Sequence, residues 1–331
     1  MNHHLLSIDN LSISFRTYRG VLEATHQVSL VVDAGETVGI VGESGCGKSV
    51  TAHAVMKLLP GDSAIYSSGH IFWDGRDIRS LDESAMNRLR GRDMAMIFQD
   101  PMTALNPVLT IGDQIEEGLR QNHMSRQEAR QKALSLLREV GITSPERRLY
   151  QYPHELSGGM RQRCLIAMAL SCEPRLLFAD EPTTALDVTT EAQVLQLLKK
   201  LQAEHQMAVV LISHNLGVIA QMCRRVYVMY AGVVVETGRV EDIFDHPAHP
   251  YTKGLLASLP DPAHKDKVLT GIAGQAPDLF HMPSGCRFYP RCPRAMRICA
   301  HMAPPVYERE TGHTAACWLF CPEREVCHGS H

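Results

Sequence analysis

The chain has 331 residues, of which 44% are hydrophobic and 21% are charged, and its formal net charge at pH 7 is −3. This length predicts about two domains with ordinary buried cores, and the small net charge argues against a nucleic-acid partner. No apolar run in the sequence approaches the roughly 18 residues that a membrane-spanning helix needs. The first residues lack the basic and apolar regions of a secretory signal, so we expect a cytoplasmic chain whose ten cysteines are mostly reduced.

The first 41 residues contain apolar runs that are typical of strands. Leu11–Phe15 and Val28–Val32 predict two strands, and a turn follows at residues 33–36. Thr37–Val41 predicts a short buried strand, and Val50–Leu58 has the composition of a helix. The segment that joins this strand to this helix is the most informative stretch of the chain.

That segment has the pattern G-x-x-x-x-G-K-S, whose glycines let backbone N–H groups surround the phosphates of a nucleotide. Lys48 supplies a cation for the β- and γ-phosphates, and the hydroxyl of Ser49 is placed to bind Mg²⁺. A glycine-rich turn could match by accident, but the strand before it and the helix after it favour a phosphate loop. The predicted nucleotide-binding residues are Gly42, Glu43, Ser44, Gly45, Cys46, Gly47, Lys48 and Ser49.

Further strands and a helical stretch follow this loop. Gly69–Trp73 is closed by Asp74-Gly75, which predicts a hairpin. Met94–Phe98 predicts a buried strand that ends at Gln99. Residues 111–140 are rich in Glu, Arg, Gln, Leu and Ala at helical spacing, which indicates a helical insert between strands of the nucleotide-binding core.

A parallel β-α-β unit is predicted in the second half of the chain, with strands at Leu176–Ala179 and Val209–Ile212 and a helix at Thr190–Glu204. The first strand ends in two acids. In a phosphate-loop fold Asp180 is placed to hold Mg²⁺, and Glu181 could polarise the attacking water as a general base. The alternative is an ordinary strand end with a solvated acidic pair.

A second candidate anion site lies at Ser157, Gly158 and Gly159, just before the apolar helix Cys164–Leu170. Ser157 can cap this helix while the glycines expose its first amides. The alternative is a plain helix cap. Since one phosphate loop already surrounds one triphosphate, the second site could serve a nucleotide held by another copy.

The last third of the chain predicts a hairpin at Arg225–Gly238, a helix at Tyr251–Ser258 and, from Pro260, a linker into a cysteine-rich tail. Four thiolates in a short segment can hold a 4Fe-4S cluster or Zn²⁺, and the absence of C-x₂-C pairs favours the cluster. Ordinary buried or free thiols are the alternative. Two more cysteines, Cys321 and Cys327, are either spare or include a substitute for the fourth ligand. The four predicted ligands are Cys286, Cys292, Cys299 and Cys317.

Several of these segments share the motifs of one family. Leu156–Arg163 resembles the signature sequence of the ATP-binding-cassette ATPases, and Leu177–Asp187 resembles their Walker B and D-loop segments. Gln99 matches the Q-loop and His214 the switch histidine, so five motifs stand in the family's order across residues 42–214. The resemblance is closer to the dipeptide, oligopeptide and nickel importer ATPases, and it covers about residues 5–317. The segments that carry this closer resemblance are Phe98–Pro107, Met160, His249–Leu256 and Gly285–Ala295.

The resemblance implies an α/β P-loop fold of the ATP-binding-cassette type, with an antiparallel β subdomain and a helical subdomain near residues 100–170. Residues 1–259 would form the nucleotide-binding domain. Residues 260–331 would form a small cysteine-rich C-terminal extension with a regulatory role, and members of the family that carry these cysteines are associated with a 4Fe-4S cluster.

The family's site chemistry implies ATP and Mg²⁺ as cofactors. The Mg²⁺ ligands are then Ser49, Gln99 and Asp180. Glu181 is the general base, and His214 steadies the γ-phosphate and the attacking water. The sequence departs from the family's motifs at two places. Cys46 replaces the usual serine of the phosphate loop, and Ser213-His214-Asn215 replaces the commoner Thr-His-Asp. Because the histidine is retained, we expect a site that hydrolyses ATP.

In this family two ATPase subunits sandwich two ATP molecules, and each phosphate loop faces the partner's signature, here Ser157, Gly158 and Gly159. Asp187 would then lie at the dimer interface. Phe15 is the candidate for stacking on adenine, with Tyr18 as the alternative, although a phenylalanine at a strand end is commonly part of a core.

The resemblance therefore implies an ATPase subunit that powers import of di- or oligopeptides, at the cytoplasmic face of the inner membrane as a peripheral protein. Its partners would be two membrane-spanning permease subunits, a second ATPase subunit and an extracytoplasmic substrate-binding protein. For the second ATPase subunit, a paralogue is favoured over an identical copy. Import of nickel or another small solute is the first alternative. A cassette ATPase of translation or DNA repair is less favoured, and a P-loop metabolic kinase leaves residues 156–160 unexplained.

Overall fold

A computed structural model describes residues 4–121, 123–184, 186–259 and 271–322. Its β-strands are β1 (Leu6–Thr17), β2 (Gly20–Val32), β3 (Thr37–Val41), β4 (Ala64–Trp73), β5 (Arg76–Asp77), β6 (Met94–Ile97), β7 (Leu176–Asp180), β8 (Ala208–Ser213), β9 (Arg225–Tyr230), β10 (Val233–Arg239), β11 (Tyr307–Glu310) and β12 (His313–Ala315). Its α-helices are α1 (Lys48–Val55), α2 (Glu83–Leu89), α3 (Pro101–Ala104), α4 (Ile111–Gln121), α5 (Arg126–Glu139), α6 (Pro145–Arg148), α7 (Gly158–Leu170), α8 (Val188–His205), α9 (Leu216–Met222), α10 (Val240–Asp245), α11 (Pro250–Ala257) and α12 (Arg297–His301). Short 3₁₀ turns lie at Pro153–Glu155, Tyr289–Arg291 and Trp318–Phe320.

The described residues pack into two compact units. Unit 1 contains the described residues up to Val31, the segment Val38–Arg79 and the described residues from Ser213 onward. Unit 2 contains Val32–Thr37 and the described residues of the stretch 80–212. The predicted domain boundary at residue 259 stays a prediction, and the predicted linker at 260–270 lies outside the described residues.

Unit 1 contains an antiparallel sheet of order β2-β1-β4-β5 and the strands β11-β12-β10-β9-β3. Strand β3 runs parallel to β9, whereas β10 is antiparallel to both β9 and β12. The predicted hairpins at 69–75 and 225–238 are confirmed as β4–β5 and β9–β10. Positive φ angles at Asp74 (51°) and Gly75 (77°) make the first turn, which explains why an Asp-Gly pair stands there.

Unit 2 contains the parallel strands β6, β7 and β8, in which β7 and β8 are buried along their whole length. Helix α8 connects β7 to β8, so the predicted β-α-β unit is confirmed. Helices α4 and α5 confirm the helical prediction for residues 111–140. Ser125 separates them, because its hydroxyl and Glu128 form a reciprocal capping box at the start of α5. The extent of a helical subdomain stays a prediction.

Helix α1 begins two residues before the predicted start and ends three residues before the predicted end. Gly47 has a φ of 98° and is the cap residue, so the helix begins directly at Lys48. The helix ends at Val55, with Met56 as its C-terminal cap, and it cannot continue because the next residue, Lys57, has a left-handed φ of 49°. The phosphate loop is therefore joined to its helix without a spacer.

The described tail has its own small core, built on Cys299 and Trp318 with Cys286 and Tyr307 packed against them. The tail also supplies the hairpin β11–β12, whose second strand pairs with β10. Among the helices of the described residues, none has both the length and the apolar composition needed to cross a membrane.

Candidate functional site

The phosphate loop of unit 1 folds around its own lysine. The side chain of Lys48 is buried, and its ammonium group donates hydrogen bonds to the carbonyl oxygens of Gly42 (2.8 Å) and Glu43 (3.0 Å). No side chain caps the N-terminus of α1, where the helix dipole favours an anion. A Cβ at Gly47 would lie 2.8 Å from the carbonyl oxygen of Ala24, so this left-handed position also has no room for a side chain.

Cys46, the departure from the family's usual serine, is buried within the loop. Its Sγ lies 3.8 Å from the Nζ of Lys48, and burial raises the pKa of the thiol, which keeps it neutral. The backbone carbonyl of Cys46 accepts a hydrogen bond from the N–H of Gly232 (3.0 Å). The loop is therefore tied by its backbone to the turn between β9 and β10.

Glu43 is held by two residues that lie far away in the sequence. Its N–H donates to the hydroxyl of Tyr251 (2.9 Å), and its carboxylate accepts two hydrogen bonds from Arg291 (2.7 and 3.1 Å). Sequence analysis did not assign either residue to the site. Both lie inside segments of the family resemblance, but no local pattern connects them with a loop more than 200 residues earlier.

His214 is exposed and stands between Ser213, the last residue of β8, and Asn215, the cap of α9. The Asn215 side chain accepts a hydrogen bond from the N–H of Gly217 (2.9 Å). An aspartate could accept the same bond, so the Asn at this position preserves the local geometry that orients the histidine. The proposed role of His214 stays a prediction.

The two aromatic candidates for adenine stacking lie at the end of β1. Phe15 is half-buried and stands opposite Ala64 of β4, whereas Tyr18 is 97% exposed in the turn that follows. Both residues belong to unit 1, as does the phosphate loop. Stacking on adenine stays a prediction for either residue.

In unit 2 the structure brings Gln99 and Glu181 together. Asp180 ends β7 and is 3% exposed, and Glu181 follows with a φ of 44°. One oxygen of the Glu181 carboxylate, Oε2, accepts hydrogen bonds from Nε2 of Gln99 (3.1 Å) and Oγ1 of Thr184 (2.9 Å). Two donors on one oxygen hold the carboxylate in a single orientation. Thr184 lies in a motif that the sequence analysis quoted, but its contact with Glu181 was not predicted.

The signature segment and Asp187 both lie beside Thr190. Ser157 caps α7, as predicted, by accepting a hydrogen bond from the N–H of Met160 (3.4 Å). Asp187 caps α8, and its carboxylate accepts from the N–H (3.0 Å) and hydroxyl (2.8 Å) of Thr190, which lowers the pKa of Asp187. A Cβ at Gly159 would lie 2.6 Å from Cγ2 of Thr190. Close packing therefore requires the second signature glycine.

Gly158, by contrast, has room for a Cβ, which would make an ordinary van der Waals contact of 3.6 Å with a methyl group of Leu186. Ser157 and Gly158 are exposed, and Gly159 is half-buried. The exposed N-terminus of α7, with its two glycines, can approach an anion closely. Whether Ser157, Gly158, Gly159 and Asp187 face a second subunit stays a prediction.

The four predicted cluster ligands are free thiols in the tail of unit 1, and Cys321 is disulfide-bonded. Burial raises the pKa of Cys286 to about 12 and that of Cys317 to about 11, and neighbouring thiols add to both effects. Within the described residues, no three His, Cys, Asp or Glu side chains come together as a metal-binding group. The structure thus contains no assembled cluster site, and Cys327 lies outside the described residues.

Taken one by one, the remaining predicted residues have the chemistry expected of ligands for a nucleotide and Mg²⁺. The hydroxyl of Ser49, the carboxylate of Asp180 and the amide oxygen of Gln99 are oxygen ligands of the kind that Mg²⁺ takes. A buried lysine within a glycine-rich loop suits a polyphosphate. Glu181, held by two donors, is a carboxylate that can accept a proton from water.

Comparison with known proteins supports the same chemistry. The family model described as ABC transporter matches residues 25–184, and the model described as the C-terminal region of oligopeptide/dipeptide transporters matches residues 235–299. The dipeptide transport ATP-binding protein DppD of Bacillus subtilis (strain 168) is 53% identical over 316 residues, which are 95% of this chain and 94% of that protein. The oligopeptide transport ATP-binding protein OppD of the same organism is 48% identical over 321 residues, covering 96% and 90% of the two chains.

Solved structures show the same fold. A dimeric post-hydrolysis state of the ATP-binding cassette MJ0796, bound to ADP and Pi, has a TM-score of 0.64 and 29% identity, and covers 71% of this chain and 98% of that chain. CbiO1 from Clostridium perfringens, part of the transporter complex CbiONQ, has a TM-score of 0.63 and 25% identity, and covers 74% and 92% of the two chains. The chain therefore belongs to the ATP-binding-cassette ATPases, in the family of the dipeptide and oligopeptide transport ATP-binding proteins.

Proposed function

We propose that this chain is the ATP-hydrolysing subunit of an importer for di- or oligopeptides. One observation carries the peptide assignment: similarity to peptide-transport ATP-binding proteins covers 95–96% of the chain, and a model of the C-terminal region of oligopeptide/dipeptide transporters matches residues 235–299. The nickel alternative has no support among these relatives.

In this proposal each motif has one task. The backbone amides of Gly42–Ser49 and the Lys48 ammonium bind the phosphates of ATP, and Phe15 stacks on the adenine. Ser49, Asp180 and Gln99 hold Mg²⁺, which when bound neutralises charge on the phosphates. Glu181 accepts the proton of the attacking water, and His214 steadies the γ-phosphate.

The subunit works as a sandwich dimer with a second ATPase subunit. A second candidate phosphate-binding segment, Ser157 to Gly159, supports this proposal, because exposed Ser157 and Gly158 at the N-terminus of α7 can cover a nucleotide held by another subunit. Asp187 lies beside this segment through Thr190 and belongs to the same interface. The similar cassette MJ0796 is a dimer in its ADP-bound state.

The dimer couples ATP hydrolysis to two membrane-spanning permease subunits at the cytoplasmic face of the inner membrane, and an extracytoplasmic substrate-binding protein delivers the peptide. Residues 1–259 form the nucleotide-binding domain, and residues 260–331 form a C-terminal extension.

The test is reconstitution of the chain with permease subunits, a second ATPase subunit and a substrate-binding protein from the same organism. We expect the substrate-binding protein loaded with peptide to raise ATP hydrolysis several-fold over the same protein without peptide. Nickel in place of peptide is the control. Stimulation by nickel alone, or ATP hydrolysis indifferent to the permease, would contradict the proposal.

We further propose that the tail takes up a 4Fe-4S cluster at Cys286, Cys292, Cys299 and Cys317. Four free thiols in one small lobe support this proposal, as does the hydrogen bond from the Cys286 N–H to the Cys299 carbonyl (2.8 Å), which holds two of them near each other. Binding would require the thiols to come together and to release their protons to solvent, and the thiolate–iron bonds would offset the burial that favours the neutral thiols.

Anaerobic purification tests the cluster. We expect a brown protein with about four irons per chain, and loss of both colour and iron in Cys292→Ser. Cys172→Ser, which removes a thiol of unit 2, is the matched control and should leave the iron content unchanged. A colourless protein with one zinc, or with no metal, would contradict the cluster.

A further inference from the structure

One arginine of the tail reaches the phosphate loop. Arg291 belongs to the 3₁₀ turn Tyr289–Arg291, and its Nη1 and Nη2 donate to the two carboxylate oxygens of Glu43 at 2.7 and 3.1 Å. The side chain of Arg291 is 7% exposed and that of Glu43 is 29% exposed. A two-point contact between a planar guanidinium and a carboxylate fixes orientation as well as neutralising charge.

Arg291 is also held by acceptors other than Glu43. Its Nε donates to the carbonyl oxygen of Ala273 (3.0 Å), and its Nη2 donates to that of Ile272 (3.3 Å). Its Nη1 also lies 3.4 Å from the hydroxyl of Tyr230. Two tail carbonyls and the Tyr230 hydroxyl thus hold the guanidinium, in addition to the Glu43 carboxylate of the phosphate loop.

The tail and the phosphate loop also share a small cavity of about 200 Å³. Glu43 and Ser44 form one part of its wall, and Ala276 and Leu279 form another. Phe288, three residues before Arg291, is buried against Tyr230 and Tyr251, the tyrosine that accepts the Glu43 N–H. Tail and loop are therefore packed together as well as joined by the ion pair.

A negatively charged carboxylate is unfavourable on a loop that binds the phosphates of a nucleotide. Left without its cation, Glu43 would repel the phosphates of a nucleotide bound by the neighbouring amides. We propose that Arg291 is a positioning residue for the nucleoside triphosphate: it neutralises Glu43 and anchors the loop, and so sets the affinity for ATP. This inference rests on the nucleotide site of the proposed function.

A double-mutant cycle tests the inference. Equilibrium binding of a fluorescent ATP analogue is measured on the full chain for wild type, Arg291→Gln, Glu43→Gln and the double variant, and KM and kcat for ATP are measured in the assembled transporter. We expect Arg291→Gln to weaken binding and raise KM about tenfold, because an uncompensated charge then faces the phosphates. We expect kcat to change by less than about twofold, since the ion pair does not touch the reacting atoms.

The double variant separates charge from structure. Glu43→Gln alone should weaken binding less than Arg291→Gln, and adding it to Arg291→Gln should restore most of the lost affinity, because the repelling carboxylate is gone. Arg309→Gln is the matched control. This tail arginine stacks on Phe320 and should leave binding unchanged.

Two results would overturn the inference while the proposed function stands. In the first, wild type and Arg291→Gln bind the ATP analogue with equal affinity. In the second, the double variant binds the analogue as weakly as Arg291→Gln does. The second result would mean that the arginine only maintains the tail. A wild-type chain that does not bind the analogue would overturn the nucleotide site itself, and this inference with it.

Discussion

Replacing Glu181 by glutamine should abolish ATP turnover in the assembled transporter while leaving ATP binding intact. Glutamine has the same shape, and its amide can still meet Gln99 and Thr184, which now donate to Oε2 at 3.1 and 2.9 Å. It cannot accept a proton from water. Loss of a general base costs about 10²–10⁴-fold in rate, so we expect kcat to fall by at least about 10²-fold with little change in KM.

Steady-state ATP hydrolysis with the permease and second ATPase subunit present is the measurement. Glu204→Gln is the matched control, because Glu204 is a half-exposed acid of the same unit that pairs with Lys200 on the surface of α8. It should hydrolyse ATP at the wild-type rate. A Glu181→Gln variant that retains wild-type turnover would remove Glu181 from the mechanism and leave the base to be found elsewhere.

The parts of this site that sequence analysis predicted are those in which neighbours in sequence act together. The phosphate loop is contiguous, and each of its residues has a conformational or chemical task that its residue type reveals. The predicted cap at Ser157 and the β-α-β unit around α8 also depend on local pattern, and the structure confirms both. Helix α1 differed by two residues at its start because the left-handed Gly47 serves the loop and the helix at once.

What the sequence did not reveal are contacts between distant segments. Tyr251 and Arg291 reach Glu43 across 208 and 248 residues, and nothing in their local sequence indicates a phosphate loop as the partner. The hairpin β11–β12 was missed for a different reason. Three of the four residues of β11 are exposed, so the strand lacks the alternation of apolar and polar residues that a sequence pattern needs.

The spacing of the cysteines in the sequence is not sufficient evidence for a metal site. Their number and order predict a metal group, but ligand geometry depends on how the turns between them fold. In the structure a backbone hydrogen bond joins Cys286 to Cys299, and Cys317, which follows the hairpin β11–β12 in sequence, also lies near enough to affect the pKa of Cys286, yet the thiols do not converge on a metal-binding group within the described residues. Four thiols in one lobe therefore do not by themselves amount to a site, which is why metal analysis is needed.

The attachment of that lobe to β10 should be the most sensitive point of unit 1. Glu236 is fully buried, and its carboxylate accepts hydrogen bonds from the N–H groups of Ala248 (2.6 Å) and His249 (2.8 Å) and pairs with Nε2 of His313 on β12 (2.8 Å). Burial lowers the pKa of His249 to about 3, so its ring is neutral at pH 7 and contributes no countercharge. One carboxylate thus serves three donors from two segments.

We expect Glu236→Ala to lower the free energy of unfolding of unit 1 by about 3–5 kcal/mol, because it leaves three buried donors without their acceptor. Urea denaturation followed by tryptophan fluorescence measures this, since the only two tryptophans of the chain, Trp73 and Trp318, both lie in unit 1. Glu308→Ala, the same change at an exposed residue of β11, is the control and should cost less than about 0.5 kcal/mol. Equal denaturation midpoints for the two variants would show that the carboxylate is not what holds the tail hairpin to β10.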